Sequence, residues 1–369
     1  MTHPFSLADE LGPEKTVHIH DAAAGLKAIV VIDNTAAGPA IGGVRMAPDV
    51  TLAECFGLAR AMTLKNAAAG LPHGGGKAVI AADPALSGAE KETLIRAFAR
   101  AIRHLQDYIP GPDMGTDEAC MAWVRDETGR AVGLPRVLGG IPLDDIGATG
   151  LGISIAAEVA QEFCSVRLNG ARVAIQGFGA VGRHAARFLA EQGAILVAVS
   201  DTGGTVQDPE GLPSAALAAL KRKGESVTGL SGAKAAPPGA VIGADCDILI
   251  PAARPGAIHR GNAGAIKARL ILEGANIPAT PEIERGLHAA GVLVVPDFIA
   301  NAGGVICGAA EYRGGSEEQA LRAISEKIRR NTHAVLSKAA RDRIPPRDAA
   351  AGLAMERVRA AMALRRRFC

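Results

Sequence analysis

The chain has 369 residues, more than one hydrophobic core usually organises, so two domains are expected. Hydrophobic residues make up 48% and charged residues 21%, a balance that excludes a disordered chain. Forty basic against 38 acidic residues give a formal charge of +2, and outside the short Arg365-Arg366-Arg367 tail no basic run points to nucleic acid.

The N-terminal stretch carries Asp9, Glu10, Glu14 and Lys15, which is incompatible with a secretory segment, and no apolar run reaches membrane-spanning length. A cytoplasmic protein with no membrane partner is expected. Cys55, Cys120, Cys164, Cys246, Cys307 and Cys369 show no CxxC spacing, so reduced thiols and no metal site are expected.

Val17 and Ile19 alternate with His18 and His20 as in a half-buried strand, and Ala28 to Ile32 reads as a buried one closed by Asp33-Asn34. Thr51 with Glu54 is a capping-box pattern, and Leu52, Cys55, Ala59 and Met62 recur at helical spacing until Gly70. Asp83-Pro84 and Ser87-Gly88 break the chain before a second helix, about 91–105. From Thr149 a helix over 151–163 opens a regular alternation of helices with short apolar strands at 173–176, 196–199, 248–251, 270–272 and 293–295. Such alternation implies a parallel sheet covered on both faces. The stretch 226–239, rich in Gly, Ala and Pro, is expected to be a loop. The fold class is therefore α/β: an N-terminal mixed α/β domain over 1–140, completed by the C-terminal helix at about 340–369, and a doubly wound Rossmann-type domain over 141–339.

Gly177-Phe178-Gly179-Ala180-Val181-Gly182 follows an expected strand and opens an expected helix, the context a GxGxxG needs. Gly177 permits the tight turn, Gly179 lets backbone approach a pyrophosphate and Gly182 lets helix and strand pack closely. Asp201 lies 19 residues beyond Gly182, placed to accept from an adenosine ribose. The competing reading is a glycine turn of some other doubly wound domain. NAD is the expected cofactor, with NADP open because Ser200 stands beside Asp201.

Lys65 and Lys77 lie 12 residues apart, the second directly after Gly74-Gly75-Gly76. A phosphate loop is excluded, since GxxxxGK[ST] needs Gly where Leu71 stands and a hydroxyl where Ala78 stands. Lys65 continues the apolar spacing of its helix, where a lysine wants an anion; the bland alternative is a stem on apolar surface with its ammonium in water. Three glycines let substrate and cofactor approach the backbone and leave Lys77 in a tight niche, where a lysine is a candidate general base. Asp113, inside Gly111 to Thr116, is either a turn-forming residue or a proton carrier.

Gly38 to Met46, Lys65 to Lys77, Gly111 to Thr116, the GFGAVG turn, Glu273 to Asn276, and Pro296 to Val305 together resemble the glutamate/leucine/phenylalanine/valine dehydrogenases, in order from about Lys15 to the C-terminus. The resemblance implies oxidative deamination of an L-amino acid to its 2-oxo acid with release of ammonia, and the reverse. Lys65 would hold the substrate α-carboxylate, Lys77 would activate the attacking water or amine, and Asp113 would carry protons to and from nitrogen. Gly42 and Gly43 would let substrate lie against backbone, and Thr149, Ala252, Asn276 and Asn301 would join the cofactor site. In the glutamate enzymes a lysine precedes the paired glycines and a serine follows NAGGV by three residues. Here Ile41 and Gly308 stand at those positions, so a pocket of Ile41, Val305 and Gly308 suggests an apolar amino acid such as leucine, valine or phenylalanine, and a likeness closest to the leucine and phenylalanine branch. Asp247 to Ala253 and Gly274 to Pro278 read more like the glutamate branch, which stays as the alternative. A catalytically silent NAD-binding regulatory protein is the alternative of another class. The expected partners are small molecules and further copies of the chain in a homo-oligomer.

Overall fold

The computed structural model describes residues 5–232 and 234–365; Cys369 and the arginines at 366 and 367 fall outside them. The chain divides into two compact units. One runs to Pro142 and takes in Val305–Ala320 and the chain from Ala354; the other is Leu143–Gly304 with Leu321–Leu353.

The first unit is built on β1 (Lys15–Asp21), β2 (Leu26–Asn34), β3 (Ala40–Ala47), β4 (Gly74–Ala81) and β5 (Tyr108–Pro112), in the order β1-β2-β4-β3-β5. β2 runs antiparallel to β1 and β4, while β3 is parallel to both β4 and β5. Alternation along the strands gives the sheet two different faces. Val30, Ile32, Val44, Met46 and Ile80 bury against Leu94, Phe98 and Met121 of α2 (Gly88–Ala101) and α3 (Glu118–Thr128), forming the main core. Val31 and Val79 face Cys55 and Ala59 of α1 (Leu52–Ala68). Thr51 caps α1 through the Glu54 N–H, but the Glu54 carboxylate goes to Arg45 at 2.6 Å, so the expected box is only half formed. A full capping box closes instead between Ser87 and Glu90, which starts α2 at Gly88 rather than near Lys91.

The second unit opens with α4 (Leu143–Ile146) and α5 (Ala148–Ala160) and continues with β6 (Arg172–Gln176), α6 (Ala180–Ala190), β7 (Ile195–Asp201), β8 (Gly204–Gln207), α7 (Ser214–Arg222), β9 (Lys234–Ala236), β10 (Ile248–Pro251), β11 (Leu270–Leu272), α8 (Pro281–Ala289), β12 (Leu293–Val295) and α9 (Asp297–Ala300). Its sheet has the order β12-β11-β10-β6-β7-β8-β9. Strands β12 through β7 are parallel, and β8 and β9 add an antiparallel edge. The stretch expected as a loop thus contains an edge strand: the Lys234 to Ala236 backbone is satisfied by β8, a partner no local pattern announces. From β6 the chain goes to β7 on one side and later to β10 on the other. That reversal is the switch point where doubly wound sheets bind ligands. The chain ends with α10 (Gly303–Tyr312), α11 (Glu317–Asp342) and α12 (Pro346–Leu364). No described helix is long and apolar enough to cross a membrane.

Candidate active site

In the first unit Ile41, Gly43 and Arg45 of β3 share a sheet face with Gly75, Lys77 and Val79 of β4, the face that α1 covers. Gly43 pairs with Gly111 of β5, and Asp113 follows just past the strand end. A Cβ at Gly43 would lie 2.7 Å from Asp113 Cβ and 3.3 Å from Lys77 Nζ. The missing side chain is what lets Lys77 and Asp113 meet, Nζ to Oδ2 at 2.7 Å. Arg45 Nε reaches the same oxygen at 3.0 Å. Burial works against ionisation of Asp113, but the Lys77 ammonium and the Arg45 guanidinium outweigh it and hold the carboxyl below the usual carboxylate range.

The glycines before Lys77 have a packing reason beside the one expected. A Cβ at Gly75 would lie 2.0 Å from the Thr63 nitrogen of α1, one at Gly74 1.8 Å from the Asn34 carbonyl oxygen, and one at Gly76 3.0 Å from the Tyr108 ring. Their smallness lets helix, strand and ring press on β4. Gly42 likewise faces the Gly76 carbonyl, 1.6 Å from its would-be Cβ. Lys65 stands half-buried in the last turn of α1, two residues beyond Thr63.

Ile41, Ile109 and Val132 form a buried apolar cluster, with Ile41 on the same face of β3 as Gly43. Gly308 of α10 faces Val132, whose Cγ2 lies 3.7 Å from the position a Cβ would take. One turn later in α10, the Glu311 carboxylate accepts from Leu134 N–H at 3.0 Å and Ile141 N–H at 2.9 Å, which fixes the Val132 segment against the helix. Val305 is half-buried one turn before Gly308. Val132, Ile109 and Arg45 were not singled out from sequence.

In the second unit a cavity of about 650 Å³ opens at the switch point, lined among others by Gly177, Phe178, Gly179, Ser200, Asp201, Lys221 and Ala252. The three glycines fill three roles. Gly177 has φ +95°, Gly182 would drive a Cβ to 2.0 Å from the Gly177 carbonyl oxygen, and Gly179 faces open space at the start of α6. That open position, with Ala180 and Val181 presenting the first turn of α6, fits a dinucleotide pyrophosphate. Asp201, the expected ribose acceptor, lines this cavity with its carboxylate already engaged by protein donors. It accepts from Lys221 Nζ at 2.7 Å, Ser226 Oγ at 2.8 Å, Gly203 N–H at 2.9 Å and Val227 N–H at 3.0 Å. Despite partial burial, these donors bring its pKa to about 2. Its charge is answered by the Lys221 ammonium in the same cavity, so Asp201 repels a 2′-phosphate less than a lone carboxylate would.

Asn301 donates to Asn276 Oδ1 at 3.0 Å and to the Ala275 carbonyl at 3.2 Å, bringing together the two expected cofactor residues. Thr149 packs on Gly304, with Oγ1 3.5 Å from the would-be Cβ. Beneath them Arg347 bonds Glu273 Oε2 and Asp297 Oδ1, each at 2.9 Å, and Glu284 Oε1 at 2.5 Å. Asp297 also accepts from the N–H of Ile277, which sits at φ +48°. The described residues contain no group of His, Cys, Asp or Glu able to hold a metal ion.

Two family models cover almost the whole chain: "Glu/Leu/Phe/Val dehydrogenase, dimerisation domain" over residues 13–130 and "Glutamate/Leucine/Phenylalanine/Valine dehydrogenase" over 139–366. The chain belongs to this dehydrogenase family. With membership comes the class of enzyme, an NAD(P)-dependent oxidoreductase acting on CH–NH2 donors. Among curated relatives of this dehydrogenase, the NADP(+)-dependent glutamate dehydrogenase of Pyrobaculum calidifontis is 40% identical over 358 residues, 90% of this chain and 85% of the relative. The glutamate dehydrogenase of Aeropyrum pernix is 41% identical over 356 residues, again 90% and 85%. Among solved structures, the hetero-hexameric glutamate dehydrogenase of Thermus thermophilus in its leucine-bound form superposes with TM-score 0.86 at 34% identity, covering 100% of this chain and 93% of that one. The L-tryptophan dehydrogenase of Nostoc punctiforme gives 0.75 at 30%, covering 96% and 98%.

Proposed function

We propose that this dehydrogenase interconverts an apolar L-amino acid and its 2-oxo acid, with release or uptake of ammonia. The observation that carries the reading is the Ile41–Ile109–Val132 cluster with Gly308 beside it, where the family resemblance puts the anchors of a side-chain carboxylate. Seating a carboxylate unpaired against those groups costs several kcal/mol. Lys65 holds the α-carboxylate. Lys77 acts as base on the water or amine that attacks the α-carbon, and Asp113, bonded to it, takes and returns the proton on nitrogen. Gly177 to Gly182, Thr149, Ala252, Asn276 and Asn301 hold NAD or NADP, which when bound exchanges the hydride with the α-carbon.

The names of the curated relatives favour a second reading, glutamate, over this one. Overall identity averages over the whole chain, whereas the residues beside the substrate's side chain decide which one is tolerated. Self-association into a homo-oligomer is part of the proposal, supported by the dimerisation-domain description of the first segment and by the hetero-hexamer of the Thermus relative. The test is ammonia-dependent oxidation of NADH and NADPH across a panel of 2-oxo acids. Turnover is expected with branched or aromatic oxo acids. Turnover with 2-oxoglutarate alone would replace this reading by the glutamate one, and cofactor binding without turnover would leave a silent binder.

A further inference from the structure

Arg45 lies outside every role assigned so far, yet it touches the group proposed to move the proton. Its Nε bonds Asp113 Oδ2 at 3.0 Å and its Nη1 bonds Glu54 Oε1 at 2.6 Å. Lys77 bonds that same Asp113 oxygen. We propose that Arg45, clamped by Glu54 in the first turn of α1, is the positioning residue that keeps Asp113 oriented and ionised while Lys77 engages the substrate. The inference rests on the proton-carrying role read for Asp113 above.

The two cations on Oδ2 are not equivalent. Lys77 is a point charge on a flexible stem, and chemistry at the substrate requires its ammonium to lose a proton or turn away from Asp113. At that moment a carboxylate held by Lys77 alone would lose its partner within a largely buried site. Arg45 stays charged at every working pH, and its planar fork is fixed at both ends, by a strand-end carboxylate and by a helix-start carboxylate. Arg45 also shares the face of β3 with Ile41 and Gly43. One strand therefore carries the apolar wall, the gap over which Lys77 and Asp113 meet, and the clamp. Glu54 gives up its half of the capping box to make the second bond, which is why the helix start departs from the sequence pattern.

Three variants test this: Arg45→Gln, Arg45→Lys and Glu54→Gln. Steady-state amination of the best 2-oxo acid is followed against pH, alongside NADH binding by fluorescence to show that each protein is folded. Arg45→Gln is expected to lower kcat by tenfold to about a hundredfold with the KM for the oxo acid changed by less than about threefold, and to move the acid limb of the kcat profile to higher pH. Arg45→Lys should restore part of kcat and return the limb toward wild type, and Glu54→Gln should shift it in the same direction as Arg45→Gln but less. The carboxyl band of Asp113, isolated by infrared difference against Asp113→Asn, should protonate at higher pH in Arg45→Gln. This band reads the hold on Asp113 even where turnover is absent. If the band and the acid limb stay where they are in wild type, or if kcat falls with no change in pH dependence, the proposal is overturned. Wild-type protein with no ammonia-dependent turnover but an Arg45-dependent band would instead remove the proposed function and keep the clamp.

Discussion

Lys77 and Asp113 come together from different strands because Gly43 has no side chain to separate them. Lys77→Ala should therefore abolish turnover while NADH still binds, since the nucleotide cavity belongs to the other unit. Fluorescence titration beside a rate assay checks both halves, and retained turnover removes the assignment. Lys65→Ala should raise the KM for the oxo acid strongly by deleting the cation proposed to pair with its carboxylate. Single residues also define the proposed cofactor cradle. Gly179→Ala places a methyl group in open space, so the protein should fold normally yet bind NADH at least about tenfold more weakly as the methyl meets the pyrophosphate. Unchanged thermal stability with weakened binding is the expected pair of results. A Kd equal to wild type would place the dinucleotide elsewhere.

At the scale of elements, the glycine turn between β6 and α6 was legible because the requirement for φ above zero, an open position and close helix packing is written into six consecutive residues. β4 was not legible as a strand. Its first three residues are glycines, which carry no strand preference, and their smallness answers Asn34, Thr63 and Tyr108, all distant in sequence. Gly75→Ala should accordingly destabilise the fold by roughly 1–3 kcal/mol or more, read from urea unfolding, because the colliding atom is backbone and cannot swing away. The pairing of Val132 with Ile41 and the donors gathered on Asp201 were hidden for the same reason: each is a tertiary contact with no local signature. The Arg347 cluster adds a pH dependence. Burial raises the Glu284 carboxyl from 4.5 to about 7 against the pull of Arg347, and burial together with the Glu284 and Asp297 carboxylates raises the Glu273 carboxyl well above the usual carboxylate range. A raised carboxyl binds its proton more tightly in the folded state than in the unfolded one, so its stabilising effect is complete below about 4.5 and lost as pH rises through about 7. Glu284→Gln should flatten the fall in melting temperature between those values. An unaltered slope would show that Glu284 does not titrate there.

Across the whole molecule, six short motifs in order were enough to read the family. In the proposed reading the substrate's side chain meets groups brought from β3, β5, the segment near Val132 and α10, of which Ile41, Val305 and Gly308 carried a signal in the sequence and Ile109 and Val132 did not. The relatives named glutamate dehydrogenases and the apolar cluster therefore pull apart on the one point that matters for specificity. Burying an isobutyl or benzyl group against Ile41 and Val132 contributes roughly 1.5–3 kcal/mol, while an unpaired carboxylate there opposes binding by at least a comparable amount. At roughly 1.4 kcal/mol per factor of ten, the two effects together give a preference of about a hundredfold or more. The decisive measurement is the ratio of kcat/KM for 4-methyl-2-oxopentanoate to that for 2-oxoglutarate, with ammonia and reduced cofactor saturating. A ratio of about a hundred or above is predicted; a ratio below one would contradict the apolar pocket and give the enzyme to glutamate.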